Sequence, residues 1–179
     1  MEYRAIQETK LNDETREITG YAIIYDTKTN IGPFEEQISQ RALKNVDTSK
    51  TYLLYNHNDD NVLASTKSGT LSLEDTPKGL YFRAQLPDTT LGNDTYTLIK
   101  RGDLNNMSFG FTVKEDTWNV ANEPALRTIK EIKDLYEISI VPYPAYEDTT
   151  VSARSKEIIK CFNCKNTLIA KALLETVKL

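Results

Sequence analysis

Over the first 150 residues, hydrophobic and polar positions mostly follow the period of two that marks strands. "EITGYAIIYDT" puts Ile18, Ala22 and Ile24 on one face and Tyr21, Ile23 and Tyr25 on the other. Apolar residues on both faces predict a strand buried between layers. "GPFEEQIS" continues extended from Pro33, and Ser39 is placed to cap a short helix over "QRALKNV". "TYLLYNH" predicts another strand, with Leu53, Tyr55 and His57 on one face. "GTLSLED" and "LYFRAQL" alternate cleanly on either side of "TPKG", a turn carrying Pro and Gly, and so predict a hairpin.

The period changes in "DTTLGNDTYTLIKRGDL". Leu91, Thr95, Leu98 and Ile99 fall near helical spacing, and Gly102 stands where a helix ends in the left-handed conformation. This predicts a helix over about 90–101. "NNMSFGFTV" returns to strand, and "ALRTIKEIKDLYEISIVPYPAYE" supplies one or two more, closed by its prolines. The resulting fold class is mainly β with short helices, a closed or nearly closed sheet with helices packed outside. Residues 1–152 form one domain. From 153 to 179 the alternation stops, and Lys and Glu mix with Ile, Leu and Ala at loosely helical spacing, which reads as an appended tail.

Composition narrows the function classes. The net charge is −4 with no dense basic run, so no nucleic-acid footprint is indicated. The longest apolar runs fall far short of the roughly 20 residues that span a bilayer. "MEYRAIQETK" lacks the apolar core of a signal peptide. A cytosolic protein without a membrane anchor is expected. Cys161 and Cys164 lie in "KCFNCK" with no second pair and no nearby histidine, whereas a zinc site needs about four ligands. A reduced, incidental pair is the plainer reading, and a partial metal or redox role the other. No cofactor is implied.

The candidate chemistry centres on "YNHNDDNVLAS", which holds the chain's single histidine, His57, where a strand gives way to a polar loop. Either His57 is incidental surface chemistry or it is the one group able to trade a proton near neutral pH. In "NNMSFGF", Ser108 and Gly110 share one strand face while Met107, Phe109 and Phe111 share the other. The bulky side anchors the strand, and the small side suits a nucleophile that a peptide must approach. The plainer reading is a polar strand position facing solvent. A serine hydroxyl needs a base at pH 7, and His57 is the only histidine available. A third group would orient the imidazole, and "KDLYEISIVP" offers Glu137 and Asp134. Backbone N–H groups near Phe109 and Gly110 suit an oxyanion, with Arg101 and Arg127 as weaker candidates.

Taken together, "TYLLYNHN", "IKRGDLNNMSFGF" and "DLYEISIVPYPAYEDTTV" resemble the tailed-phage prohead maturation proteases of the HK97 type, themselves distantly similar in fold to the herpesvirus assemblins. The resemblance runs over most of residues 1–152. It implies a small closed β-barrel surrounded by helices, herpesvirus-protease-like. It implies a serine endopeptidase with Ser108 as nucleophile, His57 as general base and then acid, and Glu137 as third member by motif position, with Asp134 as the alternative. The implied substrate is the major capsid protein or its scaffold region, cut inside an assembling procapsid in the bacterial host cytoplasm. The tail would be a self-cleaved extension or a segment retaining the enzyme in the shell. A homodimer stays open, since assemblins act as dimers. So does a non-enzymatic capsid-assembly or scaffold-like protein on the same fold.

Overall fold

The two longest strands set the frame. The computed structural model describes residues 11–12 and 15–143, all within the compact unit Met1–Pro144. β1 (Leu11–Asn12), β2 (Glu17–Ile24), β7 (Leu71–Thr76) and β8 (Gly79–Gln85) form one antiparallel sheet in the order β1-β2-β8-β7. β3 (Thr29–Asn30), β4 (Phe34–Ile38), β5 (Tyr52–Tyr55), β6 (Val62–Ser65), β9 (Asn106–Asn119) and β10 (Ala125–Val141) form the other. β10 is its spine. Along one edge it pairs antiparallel with β9. Along the other it pairs parallel with β4 at its start, Ala125 opposite Phe34, and with β5 at its end, Glu137 opposite Tyr52.

The core lies between the sheets. Ile18 and Ile23 of β2 and Phe82 of β8 join Leu53 of β5, Met107 of β9 and Ile129, Ile138 and Ile140 of β10 in one buried cluster. Tyr96 and Ile99 bring the one α-helix among the described residues, α1 (Thr90–Arg101), onto it. That helix falls where its apolar spacing predicts. The Thr89 hydroxyl accepts from the Gly92 N–H at 3.1 Å to cap its start. Gly102, at φ +84°, ends it by donating to the Ile99 carbonyl, and Lys100 and Arg101 complement the dipole of the last turn.

Three expectations need correction. "QRALKNV" is not a helix: Ala42, Lys44 and Val46 donate to the carbonyls of Ser39, Arg41 and Leu43 in successive four-residue turns, and Arg41 has φ +68°. A left-handed residue cannot continue a right-handed helix, and the Ala42 carbonyl accepts instead from Ile132 of β10. In β2 a register shift between Tyr21 and Ile23 breaks the alternation, so Ala22 and Ile23 are both buried. Finally, the strand orders give two sheets, and no closed ring of strands is formed among the described residues. The tail and its two cysteines lie outside the described residues. Within them, no helix is long and apolar enough to cross a membrane.

Candidate active site

The site is assembled where β5, β9 and β10 run side by side. Over its last five residues β10 keeps a regular register with β9: Glu137 faces Gly110, Ile138 faces Phe109, Ser139 faces Ser108 and Val141 faces Asn106. Directly opposed residues share a sheet face. Ile138, Ile140 and Met107 point into the core, so Glu137, Ser139, Ser108 and Gly110 take the other face. A bulge makes this possible. The register slips between Leu135 and Glu137, so Leu135 turns into the core with Ile138 instead of sharing a face with Glu137 as strict alternation predicts.

His57 reaches that face by leaving β5. The Asn56 N–H still donates to the Ile140 carbonyl at 2.9 Å, extending the parallel ladder by one step. Asn56 and His57 then adopt φ +55° and +56°, consecutive left-handed conformations, which asparagine and histidine enter more readily than most residues. His57 is therefore not the next residue of a flat strand, as "TYLLYNH" suggests. The chain curls back, and the His57 main-chain N–H donates to the Ser139 hydroxyl at 3.2 Å.

The turn brings His57 Nδ1 to 2.9 Å from Glu137 Oε1. A carboxylate only accepts, so Nδ1 carries the proton and Nε2 is left as the basic nitrogen. The other oxygen, Oε2, accepts from the Ser139 hydroxyl at 2.6 Å. The Glu137 side chain is largely buried while that of His57 is about one third open, 12% against 37% exposed. Ser108, directly across from Ser139, is buried, and among the described residues its hydroxyl has no hydrogen bond. The His57–Ser108 hydrogen bond is not made in this structure. Such contacts are often long before substrate binds.

Asp134 belongs elsewhere. Its Oδ2 accepts from the Thr112 hydroxyl at 2.8 Å and the Tyr136 hydroxyl at 3.3 Å, and it makes no contact with His57. Arg127 is locked near the far end of β10, its Nε 2.7 Å from Asp116 and its Nη1 2.9 Å from Glu36, with Trp118 beneath the guanidinium. Arg101 pairs with Asp103 at the helix end. Neither guanidinium touches Glu137, His57 or Ser108. The residue that sequence reasoning did not single out is Ser139. The available signal was its period-two spacing from Glu137 in "LYEISIV". Among the described residues, no group of three or more His, Cys, Asp or Glu is disposed to hold a metal.

A histidine held by a carboxylate, with a serine on the neighbouring strand, is the set of side chains that serine hydrolases draw on. The chain belongs to the Caudovirus prohead serine protease family, whose model matches residues 3–162. Over 138 residues it is 30% identical to the prohead protease of Enterobacteria phage HK97, an alignment that covers 75% of this chain and 58% of that protein. The chain thus spans less than two thirds of the length of this relative. No solved structure matches it.

Proposed function

We propose that this chain is a serine endopeptidase that cuts the capsid protein, or its scaffold region, during prohead maturation. The observation that carries the reading is the 2.9 Å contact between His57 Nδ1 and Glu137 Oε1. It gives the single histidine of the chain the tautomer and orientation of a general base. Ser108 Oγ attacks the scissile carbonyl while Nε2 takes its proton. The tetrahedral intermediate collapses, and the same nitrogen returns the proton to the leaving amine. Water, deprotonated by His57, then attacks the acyl ester, and Ser108 leaves with its proton restored. Glu137 keeps the imidazolium in place throughout and stays ionised. Backbone N–H groups near Phe109 and Gly110 are the donors assigned to the oxyanion.

The reading extends to setting and architecture. The enzyme works inside the assembling procapsid in the host cytoplasm, where substrate is concentrated. The two sheets stand for an opened form of the herpesvirus-protease-like barrel, a view supported by the shared core between β2, β8 and β10. A second reading is favoured by one observation, the unmade hydrogen bond between His57 and Ser108: a non-enzymatic assembly protein on the same fold. The deciding experiment is intact mass spectrometry of the phage's major capsid protein after incubation with wild type, Ser108→Ala and His57→Ala. Trimming by wild type alone supports the protease. Identical masses in all three, with shells still assembling, select the assembly protein.

A further inference from the structure

A third group, the Ser139 hydroxyl, is bonded to both partners of the His57–Glu137 contact. Ser139 is fully buried, at 0% exposure, although it is polar. A hydroxyl has one proton to donate and two lone pairs. Here the proton goes to Glu137 Oε2 at 2.6 Å, and a lone pair takes the His57 main-chain N–H at 3.2 Å. The same oxygen therefore grips the backbone of one partner and the side chain of the other.

We infer that Ser139 is a positioning residue for the catalytic pair, a clamp that fixes the Glu137 carboxylate and the His57 backbone in one geometry. This rests on the protease reading above and adds to it. The alternatives available to each partner show why the clamp is needed. The Ile140 carbonyl, next in the ladder, is already taken by Asn56, so the His57 N–H finds its acceptor in Ser139. Glu137 Oε1 faces His57, so without Ser139 the carboxylate is held at one oxygen and turns about its last torsion, which is soft for a terminal carboxylate. Bonding also separates the two opposed serines, both of them buried: among the described residues the Ser139 hydroxyl is engaged and the Ser108 hydroxyl is not.

The test uses the full chain and exploits its single histidine, since the imidazole 15N resonances can belong only to His57. Wild type should show the Nδ1–H tautomer. Ser139→Ala removes only one oxygen and should raise the share of the Nε2–H tautomer. Toward the capsid protein its kcat should fall about 10- to 100-fold, the scale of a modest misplacement of catalytic groups, with KM within about twofold. Ser139→Thr restores a hydroxyl and should recover both readouts. If the added methyl unfolds the chain, Ser139→Cys, a weak donor, should give intermediate values. Ser139→Ala added to Glu137→Gln should cost little beyond Glu137→Gln alone, because both break one unit.

A folded Ser139→Ala protein with wild-type tautomer and kcat would overturn the clamp, as would full additivity with Glu137→Gln. The protease reading fails separately. If wild type and Ser108→Ala both leave the capsid protein uncut while the tautomer still responds to Ser139→Ala, the clamp stands and the proteolysis does not.

Discussion

Gly110 lies directly opposite Glu137 across the β9–β10 pair, and a Cβ at position 110 would fall 2.5 Å from Glu137 Oε1. The glycine is a seat for the carboxylate. The colliding atom is the end of a flexible side chain, so Gly110→Ala should fold, with Glu137 displaced. Oε1 is the oxygen that meets His57, so the shift falls on the His57–Glu137 contact. The expected outcome is a melting temperature close to wild type and a kcat lower by about 100-fold, as a misplacement near 1 Å gives. Steady-state kinetics beside a thermal melt check it. A wild-type kcat would show that the carboxylate position is not critical.

The two acids near the end of β10 can be told apart by kinetics. Glu137→Gln keeps shape but presents an amide that no longer enforces the Nδ1–H tautomer. The loss expected for the orienting acid of a triad is about 10³- to 10⁴-fold in kcat. Among the described residues, Asp134 meets Thr112 and Tyr136 within hydrogen-bonding range and the nearby Lys133, so Asp134→Asn should stay within about twofold, as surface changes away from a site do. The reverse ranking would move the third member to Asp134.

Much of the frame was legible because local rules and tertiary packing agree there. The hairpin around "TPKG", the helix ended by Gly102 and the anchored strand of Ser108 all appear where the pattern places them. The local misses share a cause: each depends on a break in periodicity. Left-handed Arg41 interrupts a plausible helix, left-handed Asn56 and His57 carry the histidine off its strand, and the bulge before Glu137 switches Leu135 to the core. Arginine, asparagine and histidine do not announce a positive φ as glycine does. A bulge is set by the partner strand, which a single segment cannot show. The pairing of His57 with Glu137 needed the parallel β5–β10 contact, between segments about 80 residues apart.

Arg127 offers a test of stability without chemistry. Its side chain is 7% exposed and shared between Glu36 and Asp116, while those acids are 12% and 25% exposed. Arg127→Ala removes the cation from two largely buried carboxylates and a stem that packs on Trp118. Breaking a buried pair from one side costs about 3–5 kcal/mol, with the lower end expected where water reaches one acid. Position 127 precedes Glu137 by ten residues in β10, roughly 30 Å at strand rise. Urea titration should show the loss of stability, and kcat per folded molecule should be unchanged. A specific loss of kcat would return Arg127 to the oxyanion candidates.

The phenol of Tyr25 gives the chain an alkaline limit. Burial, and then the 2.6 Å hydrogen bond it donates to Asp75 with that carboxylate's charge, push its pKa far above the ordinary tyrosine value. The unfolded chain releases this proton near pH 10, while the folded chain still holds it. The folded state thus binds more protons above pH 10, and stability falls as pH rises, by up to about 1.4 kcal/mol per pH unit from this group. Below pH 10 the contribution is fully present. Tyr25→Phe cannot titrate. At pH 7 it should be less stable by about 1.5–3 kcal/mol, the range for a hydrogen bond to a charged acceptor. Between pH 10 and 11.5 the gap to wild type should close, because only wild type pays the cost of retaining the proton. Denaturant midpoints of both proteins at pH 7, 10 and 11.5 measure it. A gap that stays constant across that range would mean that Tyr25 ionises equally in the folded and unfolded chains, and that burial beside Asp75 does not hold the proton.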